Sequence, residues 1–169
     1  MKKLLLLFAL ITASLGWAQT QQGNFVLETA VLSNHTTPNT GVGFSTVKDG
    51  GSVLNVGLNG GYFIVDNLAV KAGLGYGNTR FNETTLTEAW SYRVGAEYNI
   101  VGYVPVEIAW TGSSITNANY NPSYLSTQLG YNWFFTDSVA MKPLVRYDIS
   151  LTDYYRDVLS FGIGFQYYF

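Results

Sequence analysis

Apolar and polar residues alternate along most of this chain with a period of two. The segment VLSFGIGFQYYF, residues 158–169, sets Leu159, Phe161, Ile163, Phe165, Tyr167 and Phe169 on one side and Ser160, Gly162, Gly164, Gln166 and Tyr168 on the other. Such alternation describes a β-strand with one bulky apolar face and one small or polar face. The same rule predicts eight strands, at about 24–33, 52–64, 67–77, 88–100, 103–112, 123–134, 138–150 and 157–169. Their apolar faces carry no charge. The second, for example, offers Leu54, Val56, Leu58, Tyr62 and Ile64, and the fifth offers Val104, Val106, Ile108 and Trp110. The opposite faces hold Glu28, Lys71, Arg93, Glu97, Glu107, Lys142, Arg146 and Asp148, four charges of each sign.

Alternation alone leaves open which face points inward. Volume argues first. Gly57, Gly61, Gly73, Gly75, Gly77, Gly95, Gly130, Gly162 and Gly164 all share the polar face, and only Gly60 lies on the apolar one. The interior of an eight-stranded barrel is narrow and filled by side chains, so the glycine-rich face fits inside and the Trp- and Tyr-bearing face would overfill it. Position along the strands argues next. Mid-strand apolar residues are mostly aliphatic, whereas Tyr62, Tyr76, Trp90, Tyr98, Trp110, Trp133, Tyr147 and Tyr167 gather at the ends. An aliphatic band between aromatic girdles is the outer surface expected of a membrane barrel. The connections alternate too. Short turns at 65–67, 101–103 and 135–138 separate long segments at 34–51, 78–87, 113–122 and 151–156. Short periplasmic turns and longer outer loops follow that pattern. The fold class predicted is therefore all-β, an eight-stranded antiparallel up-and-down transmembrane β-barrel. Pro105 and Pro143 lack a ladder donor inside it, so a bulge or a water-satisfied carbonyl is expected near each.

Composition sharpens this picture. Charged residues make up 12% of the chain, against about 25% in ordinary soluble domains. After the N-terminus no run approaches the roughly 20 apolar residues of a membrane helix. The start, MKKLLLLFALITASLGWAQ, has a basic Lys2-Lys3 pair, an apolar run and small residues at Gly16 and Ala18. That is the form of a secretory signal peptide. Residues 1–18 are expected to be removed, leaving 19–169 as the barrel domain. The chain has no cysteine, so neither disulfides nor thiolate metal sites are available.

The stretch NGGYFIVDNLAVKAGLGYG, residues 59–77, resembles the second hairpin of small outer-membrane barrels of the OmpX/OmpA-like family, and the aromatic strand ending in Phe169 resembles the signal read by the outer-membrane assembly machinery. The resemblance implies export to the outer membrane of a Gram-negative bacterium. It further implies contact with outer-membrane lipid and lipopolysaccharide, delivery through that machinery, and a monomer. It implies barrel class rather than one activity, since the family has structural, adhesive and other members. Because the last predicted strand reaches residue 169, peptidoglycan tethering is not expected.

Chemistry is sparse. The interior charges could line an ion path, but a filled eight-stranded barrel has no aqueous channel. A paired plug is the expectation, with Arg93 joined to Glu107 or Glu97, and Arg146 to Glu28. His35, the only histidine, could combine with Ser113, Ser114 and Asp153 in a rim site, or simply be a solvated loop residue. The segment VGFSTV in the first long connection could be an ordinary loop or extend a ribbon above the membrane. Outer-loop charges are mixed and mildly acidic, which does not suit nucleic acid. No catalytic, cofactor-binding or metal-ligating set is assigned. The reading is a plugged barrel with a structural or surface-interaction role, its outer loops open to an extracellular ligand. An outer-membrane lipid-modifying enzyme acting on lipid A acyl chains, or a narrow conduit for small or hydrophobic solutes, are the alternatives.

Overall fold

A computed structural model of the chain describes residues 19–33, 39–47, 51–81, 84–116 and 118–169. Ten strands appear among them: β1 (Phe25–Leu32), β2 (Gly43–Val47), β3 (Gly51–Val65), β4 (Leu68–Phe81), β5 (Thr84–Ile100), β6 (Val104–Ile115), β7 (Ser123–Gly130), β8 (Trp133–Phe134), β9 (Val139–Ser150) and β10 (Val158–Tyr168). All pairings are antiparallel. The ladder runs β1-β10-β9-β7-β6-β5-β4-β3 and returns to β1 through Phe25↔Tyr62 to Glu28↔Asn59. This is a closed eight-stranded barrel. Closure by the β1–β3 pairing is the condition for a sheet to sit in hydrocarbon, where an unpaired backbone group costs several kcal/mol.

The two extra strands are local. β8 continues β7 in register, since Gly130 faces Leu144 and Trp133 faces Met141. The break between them answers the proline question. Tyr131 donates its N–H to Pro143 O at 3.1 Å, but Pro143 has no N–H to return, and the regular ladder lapses for two residues. Pro105 stands opposite Asn99. Asn99 N–H bonds Asn67 O on the far side, so the missing donor of Pro105 points toward the same Gly130 end of β7. No register shift occurs at either proline; the bulge form of the expectation is not adopted, and the missing donors fall on either side of the Gly130–Tyr131 stretch, one in the β6–β7 ladder and one between β9 and the β7–β8 strand.

Strands β4 and β5 outrun the predicted limits. Residues 78–81 and 84–87, expected as loop, keep pairing from Asn78↔Glu88 to Phe81↔Thr84, with a bulge at Thr79/Arg80. Backbone pairing needs no apolar face once the ribbon leaves the membrane, and the Thr-rich stretch 84–87 favours extended backbone. The ribbon form of the first connection is the one adopted, since β2 pairs with β3 from Gly43↔Asn55 to Val47↔Gly51.

Side chains follow the predicted faces. Leu58, Leu74, Val94, Ile108 and Phe161 are each more than half exposed. The outward threonines do not break the rule, because Thr29 Oγ1 donates to Gly57 O at 3.0 Å and Thr127 Oγ1 donates to Tyr147 O at 3.3 Å. The hydroxyls are thus satisfied by carbonyls of the wall itself.

The filled interior as candidate functional site

The lumen is built in layers. At the short-turn end Val26, Phe63, Ala69, Ala140 and Tyr168 form a small apolar core. Residues on the way into β1 fold beneath it: Thr20 Oγ1 donates to Asn67 Oδ1 at 2.6 Å, and Asn67 N–H donates to Thr20 O at 2.6 Å. Above the core lies an amide layer. Asn132 Nδ2 donates to Asn99 Oδ1 at 2.8 Å, Asn99 Nδ2 reaches Glu97 Oε1 at 3.3 Å, and Tyr168 Oη donates to Gln166 Oε1 at 3.0 Å.

The amides lead into a charge cluster. Lys71 Nζ lies 2.6 Å from Glu28 Oε2, 2.9 Å from Glu97 Oε2 and 3.1 Å from Glu107 Oε2. Lys142 Nζ lies 2.6 Å from the same Glu28 oxygen and 3.0 Å from the same Glu97 oxygen. Arg93 Nε caps the cluster, bonding Glu107 Oε1 at 2.7 Å. A second group sits apart: Arg146 Nε donates to Asp148 Oδ1 at 2.7 Å, and Ser126 Oγ donates to the same oxygen. All eight of these charged side chains are buried. Their charges sum to zero, the arrangement in which burial of ions is tolerable.

Of the two expected ion pairs, Arg93 takes Glu107. Arg146 does not take Glu28, and the register explains why. Lys142 pairs with Gly164, which pairs with Ala30, two residues from Glu28. Arg146 pairs with Ser160, beyond the end of the β1–β10 ladder. The lysine is level with the glutamate and the arginine is too high.

One filling element was invisible in the alternation. Between β1 and β2, Asn39, Thr40 and Gly41 are buried inside the barrel. Thr40 Oγ1 donates to Asn59 Oδ1 at 2.6 Å, Asn59 Nδ2 donates to Thr40 O at 3.2 Å, and Asn39 N–H donates to Ser91 Oγ at 3.3 Å. Two glycines make room. A Cβ on Gly57 would stand 2.5 Å from the Thr40 carbonyl carbon, and one on Gly75 would strike Asn39 O. The chain then leaves through the wall, where Val42 N–H bonds Ala30 O at 2.8 Å, and rises as β2.

The aromatic residues named from sequence lie on the outer face. Tyr62, Tyr98, Trp133 and Tyr167 stand near the short turns, and Tyr76, Trp90, Trp110 and Tyr147 nearer the long connections. Phe169 exchanges backbone hydrogen bonds with Phe25 at 2.8 and 3.0 Å and stacks on its ring at 5.6 Å, at the β1–β10 seam. Among the described residues of the expected rim group, the two serines diverge. Ser113 turns into the lumen and bonds Ser91, Ser114 points outward, and His35 lies outside the described residues. Among the described residues no group of three His, Cys, Asp or Glu is arranged to hold a metal ion. In the last loop Tyr154 stacks on Tyr120, and the hydrogen bond between them holds the Tyr154 hydroxyl above the usual phenol range.

Solved structures share this architecture. Ail of Yersinia pestis, in a phospholipid bilayer nanodisc, aligns with a TM-score of 0.55 at 12% identity, over 88% of this chain and 100% of that one. The N-terminal β-barrel domain of Pseudomonas aeruginosa OprF gives 0.54 at 15% identity, over 88% and 98%. The outer membrane protein OprG of Pseudomonas aeruginosa gives 0.55 at 11% identity, over 88% and 97%. The fold is that of a small outer-membrane β-barrel. No protein-family model matches the chain, and no curated protein matches it in sequence. What the likeness carries is therefore the barrel fold alone.

Proposed function

We propose that residues 1–18 direct export and are removed, and that residues 19–169 insert as a rigid, monomeric barrel in the outer membrane of a Gram-negative bacterium. The barrel serves a structural role and presents its outer connections to the surroundings. The observation that carries this reading is the pairing of a wall with no charge on its mid-height outer face with a lumen closed by neutral layers of ions and amides. A wall of that kind is stable only against lipid acyl chains, and a lumen of that kind passes no hydrated ion. The eight aromatics near the two rims would rest at the two headgroup levels of outer-membrane lipid and lipopolysaccharide. The seam strand ending at Phe169 would be the segment offered to the assembly machinery. Planar-bilayer recording tests the closed centre, with no sustained discrete currents expected. An epitope inserted between Thr152 and Asp157 should be reachable by antibody on intact cells. Discrete currents would refute the plug, and an epitope reachable only after the outer membrane is opened would refute the orientation.

A further inference from the structure

Above the buried Asn39–Gly41 segment the lumen opens into a cup of about 140 Å³. Its polar lining is Asn55, Thr79, Thr87, Ser91 and Ser113, with Val53, Ala89 and Ile115 between them. No Asp, Glu, Lys, Arg or His lines it among the described residues. On these strands Arg80 and Glu88 are exposed at outward-facing positions, and Arg93, the next inward residue below Ser91, is turned to Glu107. At the floor, Ser91 Oγ and Ser113 Oγ are 2.9 Å apart, and Ser91 Oγ also accepts the Asn39 N–H.

One donor here has nothing to bond: Asn55 Nδ2 in the cup wall is buried without a partner, on a residue only 8% exposed. A buried donor left unpaired costs about 1–3 kcal/mol, so the cup favours a guest rich in acceptors. A charged guest would meet no counter-charge and lose its hydration. An apolar guest would leave the amide unsatisfied. A hydroxyl-rich neutral ring matches both demands, because each of its hydroxyls can accept from an amide and donate to a serine or threonine.

We propose that this cup is a binding site for one neutral sugar ring, free or at the end of a glycan. The proposal rests on the outward-facing orientation argued above and names the chemistry of the ligand that the outer end takes. The size of the cup limits the guest to a single ring, and its position at the long-connection end makes it accessible from outside the cell.

The test uses the purified protein in phospholipid nanodiscs, observed by two-dimensional amide NMR. Methyl glucoside, methyl galactoside and methyl N-acetylglucosaminide are titrated singly, with sodium acetate and inorganic phosphate as charged probes. The expected result is a saturable shift of the Gly77, Ser91 and Ser113 amides with at least one glycoside and none with either anion. Asn55→Ala should weaken that binding roughly five- to tenfold, the loss of one hydrogen bond. Thr152→Ala, outside the cup, should leave it unchanged. Ser91→Ala serves where Asn55→Ala does not fold. A trisaccharide carrying the same terminal unit separates a free-sugar site from a glycan-end site: tighter binding than the methyl glycoside assigns the glycan, equal or weaker binding assigns the free sugar. Absence of saturable shifts with all three glycosides, equal response to the anions, or unaltered affinity in both variants overturns the proposal. A well-dispersed barrel spectrum in those samples leaves the membrane reading standing while the cup falls. A collapsed spectrum would overturn both.

Discussion

Glu28 gathers both interior lysines and a glutamine on one oxygen, and its removal offers the sharpest test of how the barrel is held. Its Oε2 receives Lys71 at 2.6 Å, Lys142 at 2.6 Å and Gln166 at 2.9 Å. Glu28→Gln keeps the shape and removes one negative charge, so the eight buried charges no longer cancel. Lys71 retains Glu97 and Glu107, but Lys142 retains Glu97 alone. The glutamine must also turn its amide nitrogen toward two ammonium groups or away from both. Removing one partner of a buried ion group costs about 3–5 kcal/mol, and that is the loss expected for Glu28→Gln. Lys142→Met should cost a similar amount, because it leaves the negative charge in excess. The double variant restores neutrality, so it should recover about 1–3 kcal/mol relative to the sum of the two singles. Urea unfolding in phospholipid vesicles, followed by tryptophan fluorescence and by the gel mobility of folded against heated protein, measures all three. A loss below about 0.5 kcal/mol for Glu28→Gln, or strict additivity in the double variant, would refute the claim that charge balance stabilises the centre.

Other substitutions probe the wall and its turns. Leu58→Arg, on the outer face at mid-strand, should destabilise by about 2–4 kcal/mol in vesicles; an effect near zero would place that face in water. Val101 has φ 54° and Gly102 has φ 75°, and Tyr103 N–H closes the turn on Ile100 O at 3.2 Å. A β-branched residue is strained there, so Val101→Asn, creating the favoured Asn-Gly pair, should stabilise by about 1 kcal/mol in the same urea assay. Gly57→Val should drive Asn39–Gly41 out of the lumen and open that segment to protease. Gly60→Val should not, because a Cβ there meets only Leu27 Cδ2 at 3.8 Å.

The wall was legible because it obeys one local rule. Period-two alternation fixes which residues face lipid whatever the partner strand, so Leu58 and Phe161 could be placed without register. The outward side of Tyr62 and Trp110 and the inward side of Lys71 and Glu97 followed from the same rule. The pairing of the interior could not follow, since it depends on strand stagger, which no single strand encodes. Arg146 illustrates this: its face was readable, but its height relative to Glu28 was not. The apolar end core escaped for a different reason. Phe63 and Tyr168 sit at inward positions where a glycine-rich polar face was expected, and only their place in the last inward position of each strand explains them. The Asn39–Gly41 plug had a fainter signal. Gly57 and Gly75 mark a lumen with unclaimed volume, and Thr-Pro-Asn-Thr-Gly in the first long connection is small and polar enough to fill it.

That division of space constrains where any specific activity can reside. From the Phe63–Tyr168 core to the Asn39–Gly41 segment the interior is filled by an ion-paired network, and a ligand entering there would have to break ion pairs it could not replace. The outer wall at mid-height offers only aliphatic contact, which cannot discriminate strongly between guests. Selective recognition needs convergent polar groups that a guest can reach, and those occur where the filling stops: at the cup, where the Asn55 amide nitrogen lacks an acceptor, and on the outer connections around it. The closed centre and the selective rim are therefore linked. By holding the strands rigid against one another, the ion-paired plug fixes Asn55, Ser91 and Ser113 in place. A variant that loosens the plug, such as Glu28→Gln, should broaden the amide signals of those rim residues even where it leaves the barrel folded.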